Sequence, residues 1–231
     1  MSTRRYIIAS GLILGLFAVI GTALVSITHD TTEERIAQNE RQALLRKLQQ
    51  ILPADQYDNN LLQSTLQIPA DDRLGHEQPS TVYIATQQDQ VTAMIFPVIA
   101  PRGYSGEIHM LVGINIDGRI AGVRVVKHRE TPGLGDAIDA DRNDWILDFT
   151  GKSLDNPAPS NWKVKRDGGA FDQFTGATIT PRAVVQAVQL CLVYFERHKD
   201  ELISAYRKQQ HEAAEAQQDS TDTENEHSEN E

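Results

Sequence analysis

A chain of 231 residues has room for one ordinary domain with appendages, and its formal net charge of −10 is unevenly placed. Of its 32 acidic residues 8 lie between Gln209 and Glu231, a stretch without Lys or Arg; the other 24 face 22 basic residues, so the body is nearly neutral and lacks the basic excess of a nucleic-acid binder. A lone cysteine, Cys191, excludes an internal disulfide, a thiolate-held iron–sulfur cluster and a Cys-x-x-Cys-His haem site.

Arg4 and Arg5 precede an uncharged run from Tyr6 to Thr28, YIIASGLILGLFAVIGTALVSIT. At about 1.5 Å per residue a helix of this length spans roughly 30 Å, a bilayer core. A cleaved signal peptide is the rival, but its apolar region is usually about 7–15 residues long. Here the run continues past the weak cleavage site at Gly21-Thr22-Ala23. The expectation is an uncleaved, single-pass anchor over residues 1–28. The two arginines favour a cytoplasmic N-terminus. That places the main domain on the far side, in the periplasm if the membrane is a Gram-negative inner membrane.

Residues 29–80 read as a helical lead-in and a connecting segment. Ile36, Leu44, Leu45 and Leu48 recur at helical spacing among Glu, Arg and Gln, and the helix should stop before Pro53. Tyr57 to Ala70 is ambiguous. From residue 81 the pattern changes to strands: TVYIAT and VTAMIFPVIA alternate around a polar turn, and Asp117-Gly118 sits between apolar-alternating runs as a hairpin signal. At least four antiparallel strands are expected. DWILDFTG around Trp145 is a short helix or strand, and NWKVKRDGGAFDQF reads as a further strand and turn. After Pro181, Val184, Val188, Leu192 and Phe195 mark a long amphipathic helix, with Thr180 as N-cap and Pro181 at its first position. Cys191 falls in that pattern as a small core residue. The fold class is therefore α+β, with the main domain over 81–208 and a disordered acidic tail over 209–231.

Two polar, glycine-bearing loops remain. HRETPGLGD, from His128 to Asp136, follows a strand, and its glycines let backbone N–H groups approach a flat or anionic ligand. Taken alone, a plain loop is the simpler explanation, and His128 reads as an ordinary strand-end residue. The second is FDQFTGATITPRAV, from Phe171 to Val184. It is either a turn with helix caps or a place where a phosphate meets a helix start, with Gly176 and Ala177 clearing the approach and Thr178 presenting a hydroxyl.

Asp172-Gln-Phe-Thr-Gly-Ala-Thr178 resembles the flavinylation motif of the FMN-binding domain family, Asp-x-x-Ser/Thr-Gly-Ala-Thr. GYSGEI, ETPGLGD, DGGAFDQFTGATITPRAV and the N-terminal anchor further resemble the G subunits of Rnf/Rsx electron-transport complexes, over roughly residues 1–205. The resemblance implies FMN bound covalently through a phosphoester to Thr178, with Asp172, Thr175, Gly176 and Ala177 as the recognition motif. It also implies contacts to the flavin from Glu130, Thr131, Leu134 and Gly135. Its implied partners are other membrane subunits of the complex, the lipid bilayer, and a separate flavin transferase that uses FAD and a divalent metal; no metal site is expected on this chain. The function implied is electron relay on the extracytoplasmic face within a redox-driven ion translocase. One anchor cannot form an ion path, so pumping falls to partner subunits. The alternatives are the equivalent C subunit of a sodium-pumping quinone reductase, an anchored binding module without redox chemistry, and a threonine-nucleophile hydrolase.

Overall fold

The computed structural model describes residues 3–228, which divide into two compact units, Met1–Arg46 and Lys47–Glu231. The described residues of the first unit are all helical and belong to α1, which spans Thr3–Ile51. Residues 10–26 are uncharged and all exposed, with Phe17 and Val25 each 70% exposed. Among the described residues no helix is long and apolar enough to cross a membrane. The expected span also includes Tyr6, Ile7, Ala9, Ile27 and Thr28, whose side chains lie outside those described.

The second unit is built on a five-stranded antiparallel meander in the order β1-β2-β3-β4-β5. Its strands are β1 (Thr65–Ile68), β2 (Ser80–Gln87), β3 (Gln90–Ala100), β4 (Ile108–Asn115) and β5 (Ile120–Lys127). The Asp117-Gly118 hairpin forms as expected, with Gly118 at φ +84° and its N–H donating to Asn115 O at 2.8 Å. β1 lies within the segment read as a connector, because its four residues are too few to show a period. Strands β3 and β4 are apolar almost continuously because both faces of the sheet are covered. On one face Met94, Phe96, Val98, Met110, Val112 and Ile114 join the main core. There the second helix, α2 (Ile179–Ser228), lies across β3, and Phe96 meets Tyr194 and Phe195 edge-on at 6.0 and 6.2 Å. On the other face the last turn of α1 enters the sheet: Leu48 and Ile51 are buried, and Ile51 fills the space left by the cross-strand pair Gly113 and Gly122.

Three expectations need correction. The run 161–174 forms no strand; short 3-10 turns at Pro159–Asn161 and Lys165–Asp167 surround one parallel bridge, Val164 with Phe171. Left-handed Gly168 turns the chain before it can extend. Helix α2 starts at Ile179, so Thr180 and Pro181 lie inside its first turn and Thr178 occupies the position before it. Finally, α2 continues to Ser228 where a structureless tail was expected; residues 229–231 lie outside those described. The stretch after Lys208 is rich in Ala, Glu and Gln, all strong helix formers. An ion pair at four-residue spacing, Lys208–Glu212, and a polar contact of His211 with Glu215 at the same spacing add support.

The loop before β2 is fastened to α2 by charge. Arg73 donates to both carboxylate oxygens of Asp71, at 2.8 and 2.6 Å, lies 5.3 Å over the Tyr194 ring, and reaches His198 Nε2 at 3.3 Å. The hydrogen bonds from Arg73 hold the Asp71 carboxyl below its ordinary pKa. A depressed carboxylate stabilises the fold above its unfolded pKa and loses that contribution as pH falls through the folded value. Asp71→Asn should therefore be less stable than wild type at neutral pH, with the gap closing below about pH 3.9. Urea midpoints measured across the acid range check this. Gly113→Ala should destabilise the full chain by about 1–3 kcal/mol, because the added methyl collides with Ile51. A urea midpoint unchanged from wild type would contradict the close α1–sheet approach.

Candidate functional site

The site is organised by a buried carboxylate. β5 ends at Lys127, and three residues later Glu130 turns inward, 4% exposed. One of its oxygens accepts the backbone N–H of Ser105 at 3.0 Å. The other accepts the hydroxyl of Thr180 at 2.5 Å. The Glu130 N–H itself donates to His128 Nδ1 at 3.1 Å, which occupies that ring nitrogen in local structure. A charge taken out of water is tolerable when its oxygens meet such donors. Two glycines make the room: a Cβ on Gly103 or on Gly135 would lie 2.7 Å from a Glu130 oxygen. Gly135 is thus required first for the carboxylate. Beyond it, Thr131 O collects the N–H groups of Leu134 and Gly135, both at 3.1 Å, and curls the loop back on itself.

The second wall is the segment around Thr178. Its two aromatic residues are anchors. Phe171 stacks on Phe149 at 4.7 Å, and Phe174 meets Trp145 edge-on at 5.1 Å. Trp145 Nε1 donates to the Asp172 carbonyl at 2.9 Å. Between these anchors and α2 the chain must reverse. Ala177 N–H closes a turn onto Phe174 O at 3.2 Å, with Gly176 at φ +84°, a conformation that favours glycine. Thr178 then stands before the helix, and its carbonyl accepts the first helical N–H, from Arg182, at 3.4 Å. Its hydroxyl, half-buried, accepts a hydrogen bond from Arg166 Nη1 at 3.4 Å.

These two walls enclose one cavity of about 440 Å³. Glu130, Thr131, Leu134 and Gly135 line one side, and Gly176, Ala177 and Thr178 the other. Seven of the nine residues singled out from the sequence therefore converge, from segments more than 40 positions apart. Asp172 and Thr175 do not line it. Asp172 points to solvent and pairs with Lys165 at 2.6 Å. Thr180 does line it, but as the hydroxyl that meets Glu130 and not as a helix cap. Sequence reasoning overlooked Tyr104 and Ile179 on the rim and Arg166 beside Thr178. Tyr104 lies in the GYSGEI stretch, which pointed to no role by itself, and Arg166 looked like one more surface charge.

The cavity suits FMN in size and in chemistry. Ligand sites commonly measure roughly 300–1,000 Å³ and are mainly apolar with a few placed polar groups. Leu134, Tyr104 and Ile179 give an apolar rim, 43%, 67% and 47% exposed. One end of the cavity reaches the start of α2 at Thr178, Ile179 and Thr180, where the first N–H groups have no helical partner. Gly176 keeps that end narrow but open, since a Cβ there would press on Leu134 at 3.3 Å.

Such a site, on an antiparallel sheet backed by a long helix, belongs to the class of FMN-binding domains, and the family model of that description matches residues 103–193. A second, the RnfG N-terminal region, matches residues 1–51. The chain is 46% identical over 211 residues to the G subunit of the ion-translocating oxidoreductase complex of Pseudomonas aeruginosa, covering 91% of this chain and 99% of that one. It is 46% identical to the corresponding G subunit of Aliivibrio fischeri and 47% identical to that of Vibrio cholerae, each over 193 residues, 84% of this chain and 92% of the relative. The chain belongs to the family of G subunits of ion-translocating oxidoreductase complexes.

Glu130→Ala should strand the buried Thr180 hydroxyl, at about 1–3 kcal/mol, and release the Ser105 N–H to solvent at smaller cost. Thr180→Val should cost about as much as the first of these, leaving a carboxylate oxygen without its donor. A double-mutant cycle read by urea denaturation should show coupling between the two positions; additive losses would remove Glu130 from the centre of the site.

Proposed function

We propose that this chain is the membrane-anchored flavoprotein subunit of its complex, relaying electrons through an FMN joined by a phosphoester to Thr178 on the extracytoplasmic face. The observation that carries the reading is the position of Thr178: its hydroxyl stands at the start of a long helix, on the wall of a cavity shared with Glu130, Leu134 and Gly135. When bound, FMN supplies one- and two-electron transfer; the chain's part is to hold it, orient it and set its surroundings.

Each residue then has a task. Leu134, Tyr104 and Ile179 shield the ring from water while leaving an edge near the surface for electron exchange. Glu130 keeps the two walls in register. Gly176 and Ala177 clear the approach to Thr178 for the transferase. Attachment uses FAD as donor. The Thr178 oxygen bonds to the flavin-side phosphorus, the pyrophosphate P–O bond breaks, AMP leaves, and the hydroxyl proton passes to the transferase. A covalent tether has a physical motive outside the cytoplasm. Even nanomolar binding, about −12 kcal/mol, leaves a finite dissociation rate, and a lost cofactor would be diluted away.

Anchoring rests on the exposed apolar surface of residues 10–26 of α1, behind Arg4 and Arg5. One such helix offers no ion path, so translocation belongs to other membrane subunits and this chain carries electrons without independent turnover. Membership in the G-subunit family favours this reading over the C subunit of a sodium-pumping quinone reductase.

Intact-mass measurement of the full chain, co-produced with a flavin transferase, should show one FMN-sized addition. Peptide mapping should place it on Thr178, and Thr178→Val should abolish it. An addition that persists in the variant, or none on wild type, would overturn the assignment.

A further inference from the structure

We propose that Arg166 is the phosphate-positioning residue of this chain: its guanidinium holds the phosphate charge at Thr178 and makes the site selective for a phosphorylated flavin. This deepens the reading of Thr178 as the attachment point and rests on it.

Arg166 Nη1 lies 3.4 Å from Thr178 Oγ1, the atom that would bear the phosphorus. A guanidinium there can direct two N–H groups at phosphate oxygens, which a compact ammonium cannot do. Arg166 is also held in place without using its side chain. Its backbone N–H donates to Gln173 Oε1 at 3.1 Å. The neighbouring Lys165 N–H donates to Phe171 O at 2.7 Å, and Phe171 N–H returns a bond to Lys163 O at 3.1 Å. Gly169 passes so close to Lys163 O that any side chain at 169 would collide with it. The loop that carries Arg166 is therefore laced to the segment that carries Thr178.

The charges around it point the same way. Each neighbouring carboxylate already has a partner. Lys165 pairs with Asp172 at 2.6 Å, and Arg182 grips Asp167 through two bonds of 2.5 Å each. The Arg182 hydrogen bonds hold the Asp167 carboxyl below its usual range, so it remains ionised and committed. Among the described residues Arg166 forms no ion pair. Its one side-chain hydrogen bond goes to the Thr178 hydroxyl, a neutral acceptor that uses little of its capacity. A cation placed on a nucleophilic hydroxyl, in a loop whose acids are all engaged, is complementary to an anion arriving at that hydroxyl. A phosphodiester carries one negative charge, which one guanidinium balances. The free N–H groups at the start of α2 face the same charge.

Two measurements on the full-length chain test this. In the first, wild type, Arg166→Ala and Arg166→Lys are co-produced with the transferase, and the FMN-sized mass is followed over time. Arg166→Ala should gain it about tenfold more slowly, as for loss of one charge-assisted hydrogen bond. Arg166→Lys should fall between the two. In the second, chain produced without the transferase is titrated with riboflavin and with FMN, reading flavin fluorescence. Wild type should bind FMN about tenfold more tightly than riboflavin. Arg166→Ala should bind the two alike, with its riboflavin affinity unchanged, which also shows that the cavity is intact. Arg166→Ala loading at the wild-type rate would overturn the proposal. So would slow loading with an unchanged preference for FMN, which would make Arg166 a contact for the transferase. Failure of Thr178 itself appears separately, as no addition on wild type.

Discussion

The site depends on a carboxylate kept out of water. Glu130 sits where β5 hands over to its loop, and its two oxygens are divided between a backbone N–H of the 103–106 loop and the hydroxyl of Thr180 on α2. A buried charge strongly penalises any arrangement in which those donors are absent. Three segments distant in sequence are thereby held to one mutual geometry. The cavity is the space left between them. Gly103 and Gly135 complete the arrangement by having no side chain where the carboxylate must lie. Polar specificity at this point does what hydrophobic packing cannot, because apolar contacts would tolerate small slides of one loop against another.

The rest of the second unit keeps that geometry stiff. The sheet is covered on both faces, by α2 on one side and by the last turn of α1 on the other. The aromatic group of Trp145, Phe149, Phe171 and Phe174 fixes the approach to Thr178 from below, and α2 fixes its exit. Thr178 has little freedom as a result. That would suit the attachment point proposed above. The exposed rim of Tyr104, Leu134 and Ile179 leaves the cavity open to the surface.

Much of this was legible beforehand, for specific reasons. Strands β2 to β5 have clear alternation or turn chemistry, and Asp117-Gly118 permits little besides a hairpin. The cores of both helices follow from apolar spacing. The two loops that form the cavity stood out because glycines and threonines between strong elements lack a role in packing. The errors have equally specific causes. The segment 161–174 alternates like a strand, but Gly168 at positive φ and the close pass of Gly169 over Lys163 turn it back. Thr180 before Pro181 looks like a cap, yet its hydroxyl is drawn to Glu130, fifty residues away, and the helix begins earlier at Ile179. A net negative charge suggested a structureless C-terminal stretch, but local helix propensity favours continuation of α2.

The sequence by itself determined strands β2 to β5, the apolar cores of the two long helices, the nearly neutral body and the lack of clustered cysteine ligands, because these depend on composition and on spacing within a few residues. Only the tertiary structure decided which groups meet. That Glu130 faces Thr180, that Asp172 turns away to Lys165, and that Arg166 reaches Thr178 are outcomes of strand pairing and loop closure over long separations. No local pattern encodes them, since each of these side chains would be unremarkable in its own neighbourhood. The physical reason is that a buried carboxylate and a cation with no carboxylate partner among the described residues acquire meaning only once the chain around them has been folded into place.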